Sequence, residues 1–367
     1  MSPARLPFID LTPGEDDAAL RAAIDRVLRR GWFVLGPELE SFEAAFADAS
    51  GAAYAIGVAS GTDALALTLR ALGIGASDEV IVPAITAAYT GLAVLMAGAR
   101  PVFADVDPER LTIDPASCEA RIGARTAAIV PVHLFGQPAD LTPLRAVAAR
   151  HALAIVEDCC QAHLATCEGV PVGTAGIAGA FSFYPTKNLG ALGDGGAVVT
   201  GDPALAGRLR RLRNGGQTDR YRHVEAGVNS RLDELQAAVL HARLGFLPGW
   251  TRRRRAIAAR YRAALPPASA VPECDRGHVY HLFPIRSADR DGLQAHLHAR
   301  GIETLIHYPV TLPRQQAFAA CDPAEAPAAD RAVRELLSLP LHPRLGDDDV
   351  MRVAEAVGEY RQGRALA

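Results

Sequence analysis

From residue 54 to 200, short apolar runs alternate with amphipathic stretches. The runs are YAIGVA (54–59), EVIVP (79–83), RPVFADV (100–106), AAIVPVH (127–133), LAIVED (153–158), GAFSFY (179–184) and GGAVVT (195–200). Between most of them lie segments with helical spacing, at 61–74, 115–123 and 141–153. Runs that are apolar on both faces and separated by helices predict a mainly parallel sheet of about seven strands, covered on two sides. The runs at 179–184 and 195–200 are joined by a loop rather than a helix, which allows one of them to run antiparallel.

The pattern changes after residue 200. Apolar spacing near 3.6 predicts helices over 202–214, 230–247 and 250–265. HVYHLFPIR (278–286) alternates like a strand, a helix is predicted over 290–302, and ETLIHYP (303–309) reads as a further strand. The chain is therefore expected to divide into a large α/β unit with an N-terminal helical segment (1–247) and a smaller α+β unit (248–367). Val80 to Ala99 is uncharged and long enough to span a bilayer. Pro83, Gly91, Gly98 and two threonines within it favour a strand (80–83), a turn and a buried helix (87–97).

Composition narrows the function classes. A formal net charge of -3, from 38 basic and 41 acidic residues, gives no reason to expect nucleic-acid or membrane binding. The Arg252–Arg255 run lies on a predicted helix and reads as a solvated face. The N-terminal stretch MSPARLPFIDLTPGEDD lacks the apolar core of a secretory signal. The six cysteines, at 118, 159, 160, 167, 274 and 321, include no C-x-x-C pair. Reduced thiols in a cytoplasm are expected, and no metal site.

Ligands of open α/β sheets sit beyond the carboxyl ends of the strands, so the residues following each run matter most. After AIGVA comes Ser60-Gly61-Thr62-Asp63 at a predicted helix start. That is either an anion site or a plain helix cap. After LAIV come Glu157 and Asp158. Alternation sends their side chains to opposite faces, so only one need point at a ligand. After AFSFY comes Pro185-Thr186-Lys187-Asn188. Lys187 is the sole lysine in the chain, so the other 37 of the 38 basic residues are arginine. Arginine serves for surface charge but does not deprotonate to a nucleophilic amine. A single lysine at a strand end, beside a loop with four glycines in 190–196, suggests that an amine is needed. Pyridoxal phosphate uses all three features: a lysine amine, an acid beside its pyridine nitrogen and an anion site for its phosphate.

On these motifs the chain resembles the DegT/DnrJ/EryC1/StrS family of sugar aminotransferases. The likeness rests on GVASGTDALALTLRALGIGASDEVIVPA (57–84), VEDCCQAHLA (156–165), FSFYPTKNLGALGDGGAVVT (181–200) and NSRLDELQAAVL (229–240). It implies the pyridoxal-phosphate transferase fold of type I, like aspartate aminotransferase. It implies that Lys187 bonds the cofactor and shuttles a proton, that Asp158 pairs with the pyridine nitrogen, and that Gln161 bonds the phenolic oxygen. Gly61, Thr62 and Asp63 would hold the phosphate, with Ser182. Asn229 would reach the neighbouring subunit's phosphate, which implies a homodimer with shared sites. Arg231 would serve the donor carboxylate or the second subunit's cofactor. The family's ring-covering aromatic has its slot at Ala87 here, and Tyr89 stands two residues late.

The wording YPTKNLGALGDGG resembles the branch acting on nucleotide-linked 3-keto sugars. The implied reaction takes the amino group of L-glutamate to a dTDP-3-keto-6-deoxyhexose. Arg220, Tyr221 and His223, with His307 and Tyr308, become candidates for sugar or diphosphate contacts; a solvated loop is the other reading of 214–223. A cyclitol (inosose) aminotransferase and a C-4 nucleotide-sugar aminotransferase stay open. Lys187 argues against the family's sugar-dehydrating branch, in which histidine replaces the lysine. Lys187, Asp158 and Gln161 together argue against a non-catalytic regulator. A dinucleotide-binding dehydrogenase is disfavoured, because no G-x-G-x-x-G follows a first strand.

Overall fold

The computed structural model describes residues 5–266, 269–321 and 323–365. The seven runs form one sheet: β1 (Tyr54–Val58), β2 (Glu79–Pro83), β3 (Arg100–Ala104), β4 (Thr126–Ile129), β5 (Ala154–Asp158), β6 (Ala178–Ser182) and β7 (Gly196–Thr200). Their spatial order is β1-β7-β6-β5-β4-β2-β3. Strands β6, β5, β4, β2 and β3 are parallel, and β7 is antiparallel to both β1 and β6. Because β1 and β6 each oppose β7, they point the same way, and their carboxyl ends share one edge of the sheet.

Both faces of the sheet are buried, as the unbroken apolar runs require. Val80, Val82, Val156 and Val198 pack into one core cluster, while Ile81, Ile155, Phe181 and Val199 pack into another on the opposite face. The second core includes an aromatic group in which Phe46 meets Phe181 and Phe183 edge-on, at 5.1 and 5.2 Å. Such edge-to-face pairs suit the ring quadrupole. Helix α2 (Pro37–Ala49) packs Leu39, Phe42 and Phe46 into this core, and α1 (Asp17–Arg30) packs Ala23 and Val27 against Ala238. Helix α3 (Gly61–Ala71) follows β1, and α4 (Ala88–Met96) follows β2. A third core lies around the antiparallel pair β8 (Phe283–Arg286) and β9 (Leu336–Leu339), with Tyr261, Leu293, Leu297, Val350 and Val353. Among the described residues no helix is long and apolar enough to cross a membrane.

Two predicted strands are corrected. In 278–286 only 283–286 is strand. The His278 ring stacks on Tyr280 at 3.8 Å, its Nδ1 accepts the Tyr280 N–H, and Tyr280 adopts φ 48°. That local turn overrides the alternating pattern. In 303–309 a single bridge, Leu305 to Ser338, is formed before the chain turns away.

Two buried carboxylates fix local structure. Glu234, fully buried, accepts the N–H groups of Gly36, Glu38 and Leu39, and so caps α2 from a distant part of the chain. Glu157, also fully buried, accepts from Gly173, Ala175 and Gly176 and from His133 Nε2 at 2.8–3.0 Å. Ala139 N–H donates to His133 Nδ1, which places the ring proton on Nε2, toward Glu157. Burial pushes the Glu157 carboxyl up, but His133 and the backbone donors outweigh it and hold it below the usual value of 4.5.

Glu157→Gln keeps the shape but turns an NH2 group toward donors. It should cost about 2–4 kcal/mol of stability at neutral pH. Because the folded pKa lies below the unfolded one, the carboxylate's contribution is present above about 4.5 and lost as pH falls through the folded value. Denaturant midpoints of wild type and variant should therefore differ at pH 7 and converge in acid. Equal midpoints at pH 7 would show that the carboxylate contributes nothing.

Candidate active site

The carboxyl ends of β1, β2, β5 and β6 converge on a cleft of about 650 Å³. Ser60, Gly61 and Thr62 line it from the head of α3, Asp158 and Gln161 from beyond β5, and Ser182 and Lys187 from beyond β6. Thr86, Ala87, Tyr89 and Thr90 come from the turn and helix after β2, and His281, His307 and Tyr308 from later segments.

The head of α3 meets the end of β6 closely because residue 61 is glycine. A Cβ there would stand 2.7 Å from Ser182 Cβ and 2.8 Å from Cys160 Sγ. Ser60 caps the helix, its Oγ accepting the Asp63 N–H at 3.1 Å. The Asp63 amide is thereby used, and its carboxylate accepts from Ser230 Oγ at 2.8 Å. The first amides of a helix have no acceptor within it, which leaves those of Gly61 and Thr62 at the cleft. Ser182 Oγ accepts from the Tyr184 amide at 3.3 Å and retains its own proton to donate.

Asp158 points into the cleft and Glu157 to the opposite side of the sheet, as alternation requires. Asp158 Oδ2 accepts from Thr90 Oγ1 at 2.8 Å and Oδ1 from the Cys160 amide at 3.1 Å. Thr90 in turn lies 3.2 Å from Thr86 Oγ1. These bonds hold the carboxylate in one orientation with lone pairs to spare. Lys187 sits on a tight turn: its N–H donates to Tyr184 O at 2.8 Å. Gly190 lets the loop fold back, since a Cβ there would come within 2.4 Å of Pro185 O. Desolvation pushes the Lys187 amine below its ordinary value of 10.5, against the pull of Cys160 and Asp158. A depressed amine pKa raises the fraction of neutral nucleophile.

Gln161 is fixed at both ends. Its Oε1 accepts the Phe135 N–H at 2.6 Å and its Nε2 donates to Tyr308 OH at 2.9 Å. One Nε2 hydrogen is left over. Tyr89 is largely exposed at the mouth of the cleft, 65% accessible, beside Ala87 on its wall. His307 lines the cleft with Nδ1 3.0 Å from Ser338 Oγ; burial, aided by the Lys187 charge, pulls its pKa to about 4.

Other expected residues lie elsewhere. Arg220, Tyr221 and His223 stand exposed on the ribbon formed by Gln217–Asp219 and Arg222–His223, away from the cleft of their own chain. Arg220 lies over the Tyr221 ring at 5.2 Å, and His223 Nδ1 bonds Gly215 O. Asn229 is exposed and Arg231 donates to Asn214 Oδ1 at 3.2 Å; neither lines this cleft.

Nothing in the sequence pointed to two cleft groups, Thr90 and His281, or to His163, buried behind Ser182. Thr90 carried no signal beyond being polar in an apolar helix. His281 Nδ1 lies 3.2 Å from Asn188 Oδ1, whose amide donates to Val279 O. His163 Nε2 donates to Ser182 O at 2.8 Å; burial, with Lys187, brings its pKa to about 3. Nothing distinguishes these two among 11 histidines in the sequence. Among the described residues the one cluster with metal-ligand atoms, His133, Glu157 and Cys159, is the closed network around Glu157.

Comparison with known proteins agrees with this geometry. Residues 15–358 match the model of the DegT/DnrJ/EryC1/StrS aminotransferase family. The dTDP-3-amino-3,4,6-trideoxy-alpha-D-glucose transaminase of Streptomyces venezuelae is 50% identical over 366 residues, covering 98% of this chain and 97% of the relative. The crystal structure of S. venezuelae DesV in complex with a ketimine intermediate superposes with a TM-score of 0.93, at 50% identity, over 97% of this chain and 98% of that one. Bacillus subtilis NtdA with bound cofactor PMP gives a TM-score of 0.91 at 30% identity, over 98% and 86%. A likeness that spans both sequence and fold, end to end of the cleft-forming segments, makes this chain a member of the DegT/DnrJ/EryC1/StrS aminotransferase family, a sugar transaminase.

Proposed function

We propose that the protein uses pyridoxal phosphate to move the amino group of L-glutamate onto a nucleotide-linked keto sugar, a dTDP-3-keto-6-deoxyhexose, giving the 3-amino sugar. One observation carries the reading. The chain's only side-chain amine, an oriented carboxylate and the free amides of a helix head face one cleft. That donor set fits the cofactor's aldehyde, pyridine nitrogen and phosphate. The half-identical S. venezuelae relative, named for a dTDP-3-amino sugar, supports the choice of carrier and carbon. NtdA, with its bound PMP, supports the cofactor.

The bound cofactor supplies an electron sink for the carbanion formed beside the transferred nitrogen. The chain does the rest. Lys187 Nζ holds the cofactor covalently and afterwards carries a proton to and from the reacting carbon. Asp158, oriented by Thr90 and the Cys160 amide, keeps the pyridine nitrogen protonated. A carboxylate within about 4–6 Å shifts such a group by about 1–3 units toward its charged form. The Gly61 and Thr62 amides and Ser182 Oγ hold the phosphate, at a helix head where the dipole favours an anion. The spare Gln161 Nε2 hydrogen is available to the phenolic oxygen. His307 and Tyr308 face the sugar, and Tyr89 stands where it can cover the ring.

Asn229 and Arg231 do not reach their own cleft. We assign them, with the ribbon carrying Arg220, Tyr221 and His223, to the cleft of a second copy in a homodimer. The enzyme is then expected to work in the cytoplasm as a dimer with two shared sites.

Incubation with L-glutamate and a panel of dTDP- and UDP-keto sugars and an inosose, read by product mass, should show amination of the dTDP-3-keto sugar. Wild type treated with borohydride should retain the cofactor's mass, and Lys187→Ala should do neither. Amination of the inosose alone would overturn the nucleotide-sugar reading; a trapped adduct in Lys187→Ala would overturn the role of the lysine.

Asp158→Asn should still bind cofactor, seen by absorbance, yet lose about 100-fold or more in turnover. Turnover within a few-fold of wild type would refute its electronic role.

Inactive Asn229→Ala and Lys187→Ala chains, refolded together, should regain part of the wild-type rate, since a mixed dimer holds one intact shared site. No recovery despite mixed dimers seen by native mass spectrometry would place both residues in one chain's site.

A further inference from the structure

The Lys187 charge bears on His163, His281 and His307. The three rings differ in what they offer. His163 Nε2 donates to Ser182 O, and its Nδ1 is sealed off. His307 Nδ1 faces the Ser338 hydroxyl, which can give or take a proton, so both tautomers satisfy it. His281 is fixed in one tautomer. Asn188 Nδ2 donates to Val279 O at 3.1 Å, which turns its Oδ1 to His281 Nδ1, 3.2 Å away. A carbonyl oxygen only accepts, so Nδ1 carries the ring proton and Nε2 holds a lone pair.

That lone pair is open. Nε2 has no partner among the described residues, yet it is not sealed by its neighbours, and His281 lines the Lys187 cleft. Burial, with the Lys187 charge, holds the ring's pKa well below 6.5, so it stays neutral at physiological pH. The residue is also held in place. Arg254, itself buried, donates to the carbonyls of Tyr280 and His281 at 3.2 and 3.3 Å. Gly136 packs against the His281 amide, where a Cβ would stand 2.8 Å from the nitrogen. An acceptor fixed through both its backbone and its ring loses little freedom when a ligand meets it.

The other polar groups of the cleft have partners in the proposed reaction: the helix-head amides and Ser182 for the phosphate, Asp158 for the pyridine nitrogen, Gln161 for the phenolic oxygen. None of these calls for a neutral acceptor near Lys187. A keto sugar does. Hydroxyls flank its carbonyl carbon, and that carbon has to come to the Lys187 end of the cofactor. A hydroxyl that leaves water for a cleft needs an acceptor there. Asp194 also lines the cleft but is exposed, so a hydrogen bond to it only replaces one to water. A ring nitrogen that accepts and cannot donate has nothing to offer the carboxylates of glutamate. We infer that His281 Nε2 accepts a hydrogen bond from the sugar hydroxyl next to the reacting carbonyl, and so selects α-hydroxy ketones over their deoxy counterparts. The inference rests on the keto-sugar reading and adds to it a residue that sets the choice among such sugars.

The test compares a dTDP-3-keto-6-deoxyhexose with its 2-deoxy and 4-deoxy counterparts. Wild-type kcat/KM should favour the parent over one of the two about ten-fold or more. His281→Phe, a ring with no acceptor, should shrink that preference to within about two-fold. His281→Gln, whose amide oxygen accepts, should restore part of it. In His281→Phe the glutamate half-reaction, followed by cofactor absorbance, should lose far less than the sugar half-reaction. Calorimetry with the three 3-amino products, which needs no turnover, should rank them in the same order. Should His281→Phe not fold, His281→Ala is read in the same way. A preference that persists in the folded variant, equal losses in both half-reactions, or a wild type indifferent to both hydroxyls overturns the role of His281 and leaves the keto-sugar reading standing. A wild type that aminates none of the three sugars overturns that reading, and this inference with it.

Discussion

Two neighbouring carboxylates at the end of the central strand β5 organise this molecule. Placed side by side in a buried strand, Glu157 and Asp158 would repel each other and resist desolvation. The pleat separates them to opposite faces, and each face then meets its own charge. Behind the sheet, three loop amides and His133 surround Glu157 and pin the segment 173–176 against the strand. In front, Asp158 receives only Thr90 and one amide, and keeps capacity for a ligand. The sheet edge can be polar on its working side because the other side has been fully satisfied.

The rest of the site is arranged around that edge by short-range sterics. Glycine at 61 brings the helix head against Ser182, and glycine at 190 folds the lysine loop back on Pro185. The cleft is therefore held by backbone packing, with little left for a ligand to order. Such preorganisation reduces the entropy lost on binding and favours electrostatic stabilisation of developing charge.

The sheet was legible because seven two-sided apolar runs leave no other arrangement, and each strand appeared within a few residues of its run. Glu157 and Asp158 were separable from alternation alone, and Lys187 from the absence of any other lysine. What the sequence concealed depends on long-range contacts. The partner of Asp158, Thr90, is 68 residues away in a helix that is otherwise mostly apolar. The stacked ring of His278 broke an alternating pattern that looked like a strand. The ribbon at 217–223 is a substrate candidate only through its resemblance to the 3-amino-sugar branch, with a solvated loop as the other reading. Its distance from the cleft of its own chain could be seen only once the fold had placed it.

Arginine has replaced lysine everywhere but at position 187, so, apart from the chain's amino terminus, the outer surface carries no primary amine. Reagents that couple through amines, whether dyes, cross-linkers or immobilisation resins, find a single side chain, and it lies in the cleft. Amine-directed attachment to this protein is therefore confined to two places, the amino terminus and Lys187 in the cleft.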